Sequence, residues 1–258
     1  MKIANHICFF YSEQTASRFE YVNKIILETN KYVYQTDIFI HTNVEWSKDL
    51  LCTYNNGTVT VIIHDLSNEN PFYLSWKCRP LLLTQVDDYD IFMYIEDDIL
   101  VPTESINYWL KYKDMLLEQN YNLGFIRIEI NPEGVEYCTD VEYTLKNSIC
   151  INDQLFINNN NCSYCAFWIY DKKEFIKWTN SHYYNPENIP FYSDLVREKS
   201  AFGLHKLDMG WYKATVIPTE NNRLVDECKI YHLPNNYVNK ITWSSFMATL
   251  PYNNLISL

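Results

Sequence analysis

The sequence predicts an α/β protein, a single domain across residues 1–258 with a central mixed, mainly parallel sheet flanked by helices. Three observations predict it. In the first hundred residues, short apolar runs alternate with segments of helical periodicity, the pattern of repeated βαβ units. Ile91-Phe92-Met93-Tyr94-Ile95 is an unbroken apolar run, as expected of a central strand covered on both faces. The 258 residues are 47% hydrophobic and 16% aromatic, with no internal repeat and no convincing linker, which suits one substantial core.

In chain order, Ile7 to Tyr11 reads as strand one. Phe19, Val22, Ile25, Ile26 and Thr29 recur at helical spacing and predict an amphipathic crossover helix from about Ala16 to Tyr32. Asp37–His41 and Val59–His64 read as strands two and three, and Asn55-Asn56-Gly57 supplies the turn between them. A helix is expected over 72–86, limited or kinked by Pro80. Strand four is Ile91–Ile95. Pro102-Thr103-Glu104 opens a further helix to about Asn120, followed by a strand over 123–130, a strand over 166–170 and a helix from Lys172 to Thr179. Residues 181–190 and the tail after Leu233 read as irregular.

The formal net charge of -11 excludes a broad polyanion-binding face, so no nucleic-acid partner is expected. The N-terminal apolar run is too short for a signal peptide or a bilayer span; the expectation is a cytoplasmic protein with no integral membrane segment. The 8 Cys are scattered, and in that compartment thiols stay reduced. Cys162-Ser163-Tyr164-Cys165 has zinc-like spacing but no second pair, so buried thiols flanking a strand are the simpler reading.

Chemistry is signalled where strand four ends. Ligands of open parallel sheets bind beyond the carboxyl ends of the strands, and there stand three adjacent acids, Glu96-Asp97-Asp98. Adjacent carboxylates held between apolar segments are costly unless a cation neutralises them, and hard oxygen donors favour Mn²⁺ or Mg²⁺. A solvated acidic turn, such as the nearby Asp87-Asp88-Tyr89-Asp90, is the plain alternative.

The stretch Tyr94-Ile95-Glu96-Asp97-Asp98-Ile99-Leu100-Val101-Pro102 resembles the acidic motif of the GT-A (Rossmann-related) nucleotide-sugar-dependent glycosyltransferases, commonly written Asp-x-Asp and tolerant of Glu at its first position. In element order the resemblance covers roughly residues 5–130. It implies a metal-dependent transferase moving a sugar from a UDP- or GDP-linked donor to a hydroxyl of a glycan, protein or small molecule, with residues 1–130 as the nucleotide-sugar half and 131–258 as the acceptor half. It implies Asp98 as metal ligand and Asp97 facing ribose or metal-bound water, while Glu96, which departs from the commoner Asp, is a further candidate metal ligand. Tyr11 and Asp65, expected at the ends of strands one and three, match positions that hold the base, and Arg79 resembles a basic residue that steadies ribose or diphosphate. Each has an ordinary alternative: a strand cap, a turn cap and a surface charge.

GT-A enzymes often close the metal shell with a His from beyond the sheet. His232, between a short apolar run and Pro234, is the candidate, with a structural hydrogen-bonding role as its alternative. Inverting transfer needs a carboxylate base. Glu198, with Asp194 in reserve, is the choice; the two are four residues apart and would share a helical face, or form ordinary surface pairs. Trp168, Tyr183, Tyr184, Trp211 and Tyr212 are candidate sugar-stacking rings or core residues. Two rivals are weighed: a catalytically inactive carbohydrate- or nucleotide-binding relative, and a metal-dependent nucleotidyltransferase. The five Gly form no phosphate cradle near the start, which disfavours the second.

Overall fold

A computed structural model describes residues 1–141, 143–159, 163–185, 188, 196–202, 213–238 and 248–257. It is α/β, with mixed sheets and flanking helices. Two compact units divide the chain: residues 1–99 with 166–203, and residues 100–165 with 204–258.

The first unit holds β1 (Lys2–Cys8), β2 (Gln35–Thr42), β3 (Val59–Ile63) and β4 (Ile91–Glu96), all parallel. The strand that completes this sheet, at 167–171, is antiparallel to β4 and gives the order 167–171, β4, β1, β2, β3. Every residue of β4 is buried, in keeping with its unbroken apolar sequence. Gly57 closes the turn before β3, where a Cβ would stand 2.1 Å from the Thr36 carbonyl oxygen. Strand one begins at Lys2 and ends at Cys8 rather than spanning 7–11. The reason is that Asn5 and His6, polar in sequence, are completely buried.

Helix α1 (Phe19–Thr29) buries Phe19, Val22, Ile25 and Ile26, the stripe expected from the sequence. It is shorter than 16–32, because residues 13–18 form a 3₁₀ turn instead. Thr15 Oγ1 accepts from the Ser12 backbone N–H at 2.7 Å, and the Thr15 N–H donates back to the Ser12 carbonyl at 2.9 Å. The helix expected over 72–86 is broken into a 3₁₀ turn at 71–73, α2 (Leu74–Lys77) and α3 (Arg79–Thr84), with Pro80 in the first turn of α3.

β5 (Ile99–Leu100), where the chain passes from the first unit to the second, leads by way of Pro102 to α4 (Thr103–Glu118), which buries Ile106, Tyr108, Trp109, Tyr112 and Leu116. The strand expected over 123–130 is two: β6 (Tyr121–Leu123) and β7 (Ile126–Ile130). They join different sheets and part at Gly124, where a Cβ would lie 2.7 Å from both Ile217 Cγ1 and Thr215 Cγ2. Next come β8 (Glu136–Cys138), β9 (Ser148–Ile151) and β10 (Gln154–Asn158). The chain then re-enters the first unit as β11 (Phe167–Asp171), α5 (Lys172–Thr179) and α6 (Val196–Phe202). Asp171 caps α5 through the Glu174 N–H at 2.8 Å.

The second unit closes with β12 (Ala214–Glu220), β13 (Arg223–Leu224), β14 (Lys229–His232) and β15 (Leu250–Pro251). Here β13, β12, β10 and β9 lie side by side with β6 parallel to β12, while β15, β8, β7 and β14 lie side by side in a separate sheet. No helix among the described residues is long and apolar enough to cross a membrane.

Candidate functional site

At the carboxyl ends of β1 and β4 the first unit encloses a cavity of about 210 Å³, lined in part by Cys8, Arg18, Tyr94, Glu96, Asp97 and Arg197. The main-chain ladder delivers the acids there: the Asp97 N–H donates to the Cys8 carbonyl and the Glu96 N–H to that of Ala166. All three acids are buried.

Two guanidinium groups meet them. Arg18 Nε lies 2.8 Å from Asp97 Oδ2, while its Nη2 donates to Asp98 Oδ2. Arg197 Nε is 3.7 Å from Glu96 Oε2, and Nη2 of the same residue donates to Glu198 Oε1 at 3.2 Å. The Arg18 Nε pair is close but misaligned: Asp97 Oδ2 is buried and accepts no hydrogen bond from the described residues. Burial, and after it the neighbouring Asp98 charge, raises the Asp97 carboxyl well above its ordinary range against the pull of Arg18. Cys8 is also pushed up by burial, so it faces the cavity as a neutral thiol.

These acids fit a divalent ion in one specific way. Among the described residues, no three His, Cys, Asp or Glu side chains converge as a complete ligand set. The Asp97 and Asp98 Oδ2 atoms nevertheless converge on one cationic centre, the Arg18 guanidinium. Two carboxylates, with waters and phosphate oxygens for the rest, are what Mg²⁺-type ions commonly take from a protein. At 210 Å³ the cavity is smaller than the roughly 300 Å³ at which pockets for drug-sized ligands begin, so it accommodates only part of a nucleotide sugar.

Glu198 stands on α6, one residue from the guanidinium that reaches Glu96, and is brought to this cluster. Three residues hold that helix. Trp76 Nε1 donates to the Val196 carbonyl at 2.7 Å, Arg79 Nη2 to the Ser200 carbonyl at 2.9 Å, and Ser200 Oγ to the Tyr94 hydroxyl at 3.3 Å. Arg79 is thus a buried brace rather than a surface charge. Its other Nη donates to the Tyr184 carbonyl, and it stacks on Trp76, Trp178 and Tyr184 at 4.0, 4.8 and 4.9 Å. Burial lowers its pKa to about 10, which leaves it charged at neutral pH.

Of the remaining candidates, those that are described lie outside this cavity's lining. Tyr11 is three residues beyond the end of β1; its N–H donates to Asn43 Oδ1 at 2.8 Å and its ring packs on Phe9 and Phe19. Asp65 is exposed after β3 and accepts the Ser67 N–H at 2.9 Å, a bond that holds its carboxyl below the ordinary range. Trp168 and Tyr184 are buried rings of the first unit. Asp194, Cys162, Trp211 and Tyr212 lie outside the described residues.

His232 ends β14 in the second unit, where its ring stacks on Tyr237 and Nδ1 donates to Glu129 Oε1. The same buried carboxylate accepts the N–H groups of Asn236, Tyr237 and Val238 at 2.7–3.0 Å. Burial alone would raise the Glu129 carboxyl, but these donors, His232 foremost, hold it below its ordinary range. A carboxylate on Nδ1 fixes the tautomer with its lone pair on Nε2, the arrangement common behind metal-bound histidines and equally serviceable as a loop brace.

The sequence reading missed Arg18, Arg197 and Glu129. For the first two a signal existed. Only five of the 21 basic residues are Arg, and planar guanidinium is the group suited to carboxylate and phosphate.

No protein-family model and no curated protein matches the chain. Among solved structures, the crystal structure of S. aureus TarS is similar, with a TM-score of 0.45 and 13% identity, over 90% of this chain and 36% of that one. The chain therefore spans about a third of that protein's length.

Proposed function

We propose that the chain is a metal-dependent glycosyltransferase that moves a sugar from a UDP- or GDP-linked donor to a hydroxyl acceptor with inversion. One observation carries the reading. At the end of a buried central parallel strand, two carboxylate oxygens converge on one cationic centre beside a cavity, and one of them accepts no hydrogen bond. That is unfavourable for a structural ion pair and favourable for a site that receives a cation with its own ligands. The absence of a Gly-rich phosphate cradle favours metal-held diphosphate over nucleotidyl transfer.

In this reading Asp97 and Asp98 would hold the ion, Asp97 taking a ligand role in place of the ribose- or water-facing one the resemblance implies, and the ion would supply charge stabilisation to the departing diphosphate. Glu96 keeps Arg197 at the rim of the same cavity. Glu198 takes the proton from the acceptor hydroxyl as the new bond forms. Asp194 as the reserve base belongs to the same proposal.

The test is calorimetry of UDP and GDP with and without Mn²⁺, followed by release of nucleoside diphosphate from nucleotide sugars. Nucleotide affinity should depend on the metal and disappear in Asp98→Ala. Glu198→Gln should lower kcat by about 10²-fold or more with donor affinity unchanged. A parent protein that binds neither nucleotide in the presence of Mn²⁺ would sink the proposal, and retained anomeric configuration would remove the base from it.

A further inference from the structure

Arg18 occupies the position that a divalent ion would need. Its guanidinium spans the two converging oxygens, one in a direct hydrogen bond and one in a close but misaligned pair. Two centres of positive charge cannot share those oxygens without strong repulsion, and a Mg²⁺-sized ion needs them at about 2.1 Å. Either the arginine is the permanent partner of Asp97 and Asp98, or it must leave when an ion arrives.

Three observations favour departure. Arg18 ends the 3₁₀ turn of residues 13–18, whose start is fixed by the Ser12 and Thr15 bonds, so rotation of its side chain alone frees the two oxygens. That side chain is 28% exposed and lines the cavity, so a rotated guanidinium has somewhere to go within the same site. The charges also alternate sensibly. Glu96, Asp97, Asp98 and Glu198 outnumber Arg18 and Arg197, an excess of acid that a divalent ion would offset and a sugar-linked diphosphate would restore. A guanidinium freed from carboxylates is matched in shape and charge to phosphate oxygens.

We propose that Arg18 is a stand-in cation for Asp97 and Asp98, which yields their oxygens to an incoming divalent ion and turns to the phosphate that arrives with it. The inference rests on the metal-dependent reading above and assigns Arg18 two successive partners in one site. It explains how three buried acids coexist in the absence of metal, and it predicts effects of opposite sign for one substitution.

The experiment measures Mn²⁺ alone, and then UDP and GDP at saturating Mn²⁺, by calorimetry on the parent, Arg18→Gln and Arg18→Lys. Removing the competing charge should tighten Mn²⁺ alone by about tenfold or more in Arg18→Gln and weaken nucleotide at saturating Mn²⁺ by about tenfold or more. Arg18→Lys keeps the charge and loses the fork, so Mn²⁺ affinity should stay near the parent's while nucleotide weakens. On the parent itself, arginine Nε–H resonances followed by NMR during Mg²⁺ addition should show one signal shifting before any nucleotide is present. That readout also covers the case in which Arg18→Gln does not fold. Metal-dependent nucleotide binding in the parent, together with Mn²⁺ affinity unchanged or weakened in Arg18→Gln or an unshifted Nε–H signal, overturns the exchange and leaves the proposed function standing. Loss of metal-dependent nucleotide binding in the parent removes both.

Discussion

Replacing Arg79 by Met tests whether the candidate site depends on a brace below it. The side chain is 5% exposed and donates to two backbone carbonyls, those of Tyr184 and Ser200, while three aromatic rings surround it. Hydrogen bonds from a charged group contribute about 1.5–3 kcal/mol each and desolvated cation–π contacts about 1–2 kcal/mol, against the cost of burying the guanidinium. Met restores apolar packing but leaves both carbonyls without their donor. The net loss should be about 3–5 kcal/mol, and at roughly 2–4 °C per kcal/mol for a chain of this size the melting temperature should fall by about 6–20 °C. Because Ser200 belongs to α6, the helix carrying Arg197 and Glu198, backbone amides of 196–202 should lose hydrogen-exchange protection before those of β4. Differential scanning calorimetry and exchange mass spectrometry read both effects. A variant melting within about 2 °C of the parent, with α6 protection intact, would refute the assignment of Arg79 as the brace.

Two further outcomes follow from buried polar groups. His6 has its pKa lowered to about 3 by burial, so the unfolded chain protonates first as pH falls from 6.5; stability should be whole above about 6.5 and decline towards pH 3. At pH 4.5 the difference of about two pKa units amounts to roughly 2–3 kcal/mol, and urea midpoints that do not move between pH 7 and 4.5 would contradict it. Glu129→Gln sets an amide NH₂ against N–H donors already present and should cost about 2–4 kcal/mol with faster exchange at Tyr237 and Val238, whereas a change under about 0.5 kcal/mol would show the carboxylate to be dispensable.

What the sequence made legible was whatever burial writes as a plain hydrophobic pattern. The run 91–95 became β4, and α5 spans Lys172–Thr179 as expected, because Asp171 caps it where the apolar spacing starts. The start of β1 was illegible for a physical reason. His6 Nε2 donates to Gln85 Oε1 at 2.9 Å, so its Nδ1 accepts from His41 Nε2 at 2.9 Å, and His41 Nδ1 accepts from His64 Nε2 at 2.8 Å. Partners on β2, at the end of β3 and at the end of α3 make a polar residue a core residue, and none of them is near in sequence. The acids of the site were legible because they interrupt an apolar run. Arg18 and Arg197 carried no signal beyond being arginine, since a guanidinium 80 residues from its carboxylate, as Arg18 is from Asp98, is joined to it only by the fold. Arg79 was singled out as a basic residue that steadies ribose or diphosphate, and the fold shows it donating to the carbonyl of Ser200, a contact that no local pattern announces.

These buried polar groups differ in how completely their partners satisfy them. Glu129 meets four donors and has no accessible surface, so nothing further can bind it without displacing a loop. Arg127 and Asp140 close a two-pronged pair at 2.7 and 2.8 Å, with Thr139 bonded to both, leaving its geometry complete. The histidine row spends both ring nitrogens of His6 and of His41 internally. A structural cluster minimises its free energy by satisfying every member, because an unmet buried donor or acceptor costs more than a neutral substitute would. At Asp97 that condition fails: the carboxyl is buried, pushed up by its neighbour, short of a hydrogen bond on Oδ2 and open to a cavity edged by two guanidiniums. An incoming cation with its phosphate ligands would supply what this cluster lacks, whereas it could enter the others only by breaking bonds already made.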